Sequence, residues 1–201
     1  MGLAAGAMDE RGRGRAYRTL RHRDYRLLWG AEAVSTLGTQ VQRVAVAWQV
    51  FELTRDPLQL GLLGLCRFVP ILLFGIAGGV VADRRDRRRT LVASQAVLLL
   101  LSAALAGMTA AGAANLMAIY AITVLAATAS AVSGPTRQAL VPLLVPRTEL
   151  VGAMTMNILA MQTAAVAGPA LGGLLIARGG GASAYALDAL SFAAVIAAVL
   201  A

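Results

Sequence analysis

The chain has 201 residues, of which 58% are hydrophobic, 14% charged and 5% aromatic, with mean hydropathy +0.70 and a formal net charge of +8. Soluble domains carry about 25% charged and about 45–50% apolar residues, so this excess of Ala, Leu and Val excludes a disordered chain, a secreted disulfide scaffold and almost any cytosolic enzyme. One cysteine, Cys66, and one histidine, His22, supply neither an internal disulfide nor a zinc ligand set, so no metal and no cofactor is expected.

In chain order, residues 1–16 mix Gly, Ala and Arg and are expected to form a disordered cytoplasmic N-terminus, without the apolar core of a signal peptide. Tyr17 to Leu28 interleaves aromatic residues and leucines with arginines, as an interfacial lead-in does. Six apolar stretches follow, each near the roughly 20 residues that a helix needs to cross a bilayer core of about 30 Å. They run approximately over Leu27–Leu53, Leu58–Ala82, Thr90–Ala110, Asn115–Gly134, Leu150–Ala177 and Ala182–Ala201. No alternation marks them as barrel strands, and Ala and Leu are helix formers. The expected fold is therefore an all-α membrane bundle over residues 17–201. A chain ending in an apolar helix at Ala201 is also expected to be part of a longer protein.

All eighteen basic residues are arginine. Seven precede the first span, five lie between spans two and three, two follow span four, and only Arg55 and Arg178 fall on the other side. By the positive-inside rule both ends face the cytoplasm, in a plasma membrane and most naturally a bacterial inner membrane. The charge thus reports topology and anionic headgroups, with no nucleic-acid partner.

The loop after span two reads Gly79-Val-Val-Ala-Asp83-Arg84-Arg85-Asp86-Arg87-Arg88-Arg89-Thr-Leu91. It resembles the signature loop between helices 2 and 3 of the major facilitator superfamily, in the version of the enterobactin-exporter and macrolide-efflux-like branch. Leu20 to Trp29, Ala47 to Pro57 and Gly134 to Pro142 are similar to that branch's helix 1 entry, helix 1 to 2 turn and helix 4 exit. The resemblance implies the N-terminal six-helix half of that fold, a three-plus-three inverted repeat. It further implies a secondary transporter, not an enzyme, that exports small amphipathic molecules in exchange for protons by alternating access. The missing C-terminal half, or a second half-transporter, would be its partner. Gly79, Asp83, Arg84, Asp86, Arg87, Arg88 and Arg137 form the expected conformational switch, with Asp83 pairing with Arg137 in one state. The arginine that many drug:proton antiporters carry within helix 4 has no counterpart in span four, which holds no charge.

Gly168-Pro169-Ala170-Leu171-Gly172-Gly173 is similar to an element of helix 5 in exporters of this superfamily, so Gly168, Pro169, Gly172 and Gly173 are read as a hinge. Small residues at four-residue spacing also suit plain close helix packing. Charges inside the spans are costly and demand a reason. Arg43 and Arg67 lie near the midplane at about the same depth, about 15 and about 14 Å from the outer ends of their spans. Glu32 shares a face of helix 1 with Arg43, being eleven residues away, and Asp188 in span six lies within reach of a long arginine. Glu32 is the candidate for proton coupling, and Arg43, Arg67 and Asp188 complete the proton or substrate site. A structural ion pair remains open for the arginines and a snorkelling residue for Glu32. Trp48 and Tyr185 are placed as interface anchors, and His22 as a solvated residue. The membrane domain of an ATP-driven exporter and a non-transporting truncated subunit stay open as alternatives.

Overall fold

Ala- and Leu-rich segments without alternation fold as helix. A computed structural model describes residues 19–84 and 86–201, and only the backbone of 20 and 76–84; it contains no strand among the described residues. A 3-10 turn, Thr19–Arg21, leads into α1 (Arg23–Thr54), followed by α2 (Pro57–Arg84), α3 (Arg87–Ala110) and α4 (Leu116–Leu144). A second 3-10 turn, Arg147–Glu149, precedes α5 (Leu150–Leu200). The expected disorder of residues 1–16 lies outside the described residues.

The helix ends follow from local chemistry. Arg55 takes the left-handed conformation after α1 (φ 52°), and Asp56 accepts a hydrogen bond from the Leu58 amide at 2.9 Å, with Pro57 opening α2. Asn115 caps α4 by accepting from the Ala118 amide at 2.9 Å. Val145 is extended because it precedes Pro146, and this ends α4. Gly180 breaks α5 into limbs 150–179 and 181–200, with φ 69° and ψ 177°, a region open essentially to glycine alone.

Four described stretches are long and apolar enough to cross a bilayer: Pro57–Gly75, Arg87–Ala110, Leu116–Leu144 and Arg147–Leu200. The last has 54 residues, more than twice the roughly 20 that one crossing needs, and it is the one broken at Gly180. At 32 residues α1 is long enough, but Glu32, Gln40, Gln42, Arg43 and Gln49 make it the polar helix of the set. Its position accounts for this, because α1 packs on both limbs of α5 and touches α2 and α4 as well. Elsewhere α2 pairs with α4, and α3 packs against α4 and α5. A core of Val41, Val46 and Val50 on α1, Leu63, Leu105, Ile119 and Tyr185 joins all five helices. Outward, Leu58, Leu65, Phe68 and Leu72 on α2, and Val151, Ile158 and Val166 on α5, are exposed, the inverse of a soluble domain and the arrangement a lipid solvent favours.

Two expectations change. Helix 4 does not exit at Gly134 but runs on to Leu144 with Pro135 and Pro142 inside it, since a proline in a membrane helix removes one backbone bond without ending the helix. Arg137, expected at the cytoplasmic exit of helix 4, is therefore carried inside α4. Tyr185, placed at the interface, is fully buried instead, because Gln49 offers its hydroxyl an acceptor inside the bundle.

Candidate functional site

A cavity of about 320 Å³ opens among the helices, lined by Arg43 of α1, Arg67 of α2, Ser102 of α3, Arg137 of α4, and Met161 and Phe192 of α5. All five helices contribute, so no single segment of sequence defines it.

At one edge of the cavity Arg137 meets a carboxylate. Its Nη1 lies 2.8 Å from Oε2 of Glu32, which is only 7% exposed, so the pair ties α1 to α4. The two groups attract as an ion pair without good alignment: both carboxylate oxygens and the Arg137 Nε lack a directed hydrogen bond. Glu32, expected to share a site with Arg43, pairs with Arg137, which lines the same cavity as Arg43. Asp83, the expected partner of Arg137, has a side chain outside the described residues, as does Arg84, and only the backbone of Gly79 is described.

Deeper in the bundle lies Asp188, completely buried on the second limb of α5. Ser102 Oγ donates to its Oδ2 at 2.8 Å and Thr39 Oγ1 to its Oδ1 at 3.3 Å, while Gln42 Nε2 donates to Ser102 Oγ at 2.8 Å. A parallel bridge sits two turns along. Tyr185 donates to Gln49 Oε1 at 2.6 Å, and Gln49 Nε2 donates to Thr109 Oγ1 at 3.1 Å. Together these bonds link α1, α3 and the second limb of α5.

Arg43 and Arg67 line one cavity. Arg43 Nη1 donates to the neutral Oε1 of Gln40 at 2.9 Å, and neither Arg43 nor Arg67 forms an ion pair within 4.0 Å among the described residues. Asp188, expected within reach of an arginine, is held by hydroxyl groups instead, because helix packing puts Ser102 and Thr39 at its oxygens.

Residues 15–201 match the family model described as transmembrane secretion effector, which is part of the major facilitator (MFS) group. The chain belongs to this family of transporters. Over 144 residues, 70% of this chain and 36% of the relative, it is 30% identical to the staphyloferrin A transporter of Staphylococcus aureus. It is 28% identical to macrolide efflux protein A of Streptococcus pyogenes over 71 residues, 35% of this chain and 18% of the relative. An uncharacterized MFS-type transporter of Bacillus subtilis, YfiS, is 26% identical over 151 residues, 75% of this chain and 35% of the relative. The chain thus spans about a third of the length of the longest-matching relatives. No solved structure gives a significant match.

In this MFS chain the described part of the signature loop builds local structure. Asp86 caps α3 by accepting from the Arg89 amide at 3.0 Å, and Arg87 Nη1 donates to the Ala139 carbonyl of α4 at 3.0 Å. Arg88 is exposed. Near the same end Tyr25, outside the apolar part of α1, donates to the Ala153 carbonyl at 3.1 Å; burial pushes its phenol up to about 12, so it remains a donor at physiological pH. His22, expected to be merely solvated, has its Nε2 3.2 Å from Glu149 Oε2.

On α5 the glycine stripe divides. A Cβ on Gly168 would stand 2.4 Å from Cβ of Gln40, and one on Gly172 would lie 3.2 Å from the Val41 carbonyl. These two glycines let α5 press against α1. Gly173 has nothing within 4 Å, and Pro169 is exposed on the other side.

Sequence reasoning missed the polar bridges of this MFS chain. Their signal was present in the spacing: Gln42 and Gln49 on α1, Ser102 and Thr109 on α3, each seven residues apart and so on one helix face. Gln95, seven residues before Ser102, continues the same face, yet it is fully buried and neither amide atom has a partner. Among the described residues no group of His, Cys, Asp and Glu could hold a metal ion.

Proposed function

We propose that the chain forms the six-span N-terminal half of a proton-coupled exporter, with both ends in the cytoplasm, which moves small amphipathic molecules across the plasma membrane by alternating access. The observation that carries this reading is the ion pair between the buried Glu32 and Arg137, which lines the cavity. A charged pair between two membrane helices is expensive unless it does something, and this one lies beside the cavity, where substrate and proton could compete for it. Protonating Glu32 removes the attraction and frees Arg137. The released guanidinium would then be available to Asp83 at the end of α2, the second state of the switch, while α1 and α5 move together as a unit along their glycine contact. The names of two relatives, a staphyloferrin A transporter and a macrolide efflux protein, support a small-molecule substrate.

Efflux from cells stripped of their own exporters tests the reading. Cells expressing the full-length protein should retain less of at least one of a labelled macrolide, a lipophilic cation and a tricarboxylate than control cells. An uncoupler, or Glu32→Gln, should abolish the difference. Undiminished efflux by Glu32→Gln at every pH rules out the coupling role, and equal retention of all three probes rules out export.

A further inference from the structure

The charge of the cavity wall does not balance. Arg43, Arg67 and Arg137 all line it, and among the described residues no Asp or Glu does. Glu32 answers Arg137. Asp188 lies behind the wall with both oxygens already engaged by Ser102 and Thr39, and it acts on Arg43 only through space. Arg43 and Arg67 are close enough for their charges to act on each other, and their repulsion has no ion pair within 4.0 Å to relieve it among the described residues. Guanidinium groups stay charged at any physiological pH, so the pair cannot escape by losing a proton. Arg43 is exposed and Arg67 half-buried on the same cavity, and an anion between the two would relieve their repulsion. The fork of a guanidinium matches the two oxygens of a carboxylate, and two forks side by side match a molecule with more than one carboxylate. Ser35 and Ser130 add hydroxyl donors to the same wall.

From this juxtaposition we infer that Arg43 and Arg67 form a subsite for a small organic polycarboxylate. The inference rests on the proposed transport site and names the class of substrate it takes.

Equilibrium binding of labelled citrate to the full-length protein in detergent micelles tests it. Citrate should bind, unlabelled tricarballylate should displace it, and a tenfold excess of tetraphenylphosphonium should not. Arg67→Gln should weaken binding about ten- to a hundredfold, the scale of one charge-assisted contact, and Arg67→Lys should restore part of it. Thermal midpoints of both variants within a few degrees of the parent show that the fold is intact. Lack of citrate binding by the parent, unchanged binding by Arg67→Gln, or equal displacement by inorganic phosphate would overturn the assignment. Citrate binding without efflux of any probe would uphold the subsite while removing the transporter reading. Efflux of the lipophilic cation without citrate binding would do the reverse.

Discussion

Glu32 and Arg137 stand 105 positions apart in sequence and 2.8 Å apart in the fold, and they join α1 to α4 at the edge of the cavity. Removing one partner strands the other charge. Glu32→Gln should destabilise the protein by an amount toward the lower end of about 3–5 kcal/mol, since Arg137 keeps access to the cavity. Adding Arg137→Gln should recover part of that loss. A double-mutant cycle on thermal midpoints in detergent measures it; strictly additive losses would mean that the two charges are not coupled.

The contact between α1 and α5 predicts a sharp difference between neighbouring glycines. Gly168→Val should force the helices apart, because even its Cβ would lie 2.4 Å from that of Gln40. Gly173→Ala meets nothing within 4 Å and should leave stability unchanged or slightly raised. Yield and monodispersity of the two variants on size exclusion provide the check, and equal tolerance would count against the glycine contact.

Asp86 distinguishes a cap from a latch. As an N-cap its loss in Asp86→Ala should cost about 0.5–2 kcal/mol, while Asp86→Ser, which can still accept from the Arg89 amide, should cost far less. If thermal midpoints and transport fall as far with serine as with alanine, the carboxylate charge matters beyond the cap.

The bridge through Ser102 carries a further expectation. Ser102→Ala removes a donor from the buried Asp188, at about 1–3 kcal/mol, and at the same time an acceptor from the half-buried Gln42. Tyr185→Phe removes only one partner of Gln49, which keeps Thr109, and should cost less. Reversal of that order in thermal unfolding would mean that the Asp188 bridge is not the main tie among α1, α3 and α5.

At Gly180, φ 69° with ψ 177° admits glycine and little else. Gly180→Ala should cost about 1–3 kcal/mol and disturb the turn between the limbs of α5. Cysteine accessibility on either side of the break, compared between the parent and the variant, would register the change; an unchanged pattern together with an unchanged midpoint would argue against a strained turn.

The amino-acid sequence by itself determined that this is a helical membrane protein, because span length and apolar composition answer directly to bilayer thickness. It placed the signature loop between two helices, and it gave Arg43 and Arg67 expected heights along theirs, since helical rise converts residue count into height. Tertiary structure alone decided which charges meet. Height along a helix says nothing about rotation about its axis or about which neighbour it faces, so Glu32 had no visible partner until α4 was seen to continue past Gly134 and carry Arg137. The same applies to Asp188, whose oxygens are claimed by hydroxyl groups on two other helices, and to Tyr185, drawn inside by Gln49. Chain order can specify each helix, but a cavity built from five of them exists only once they pack.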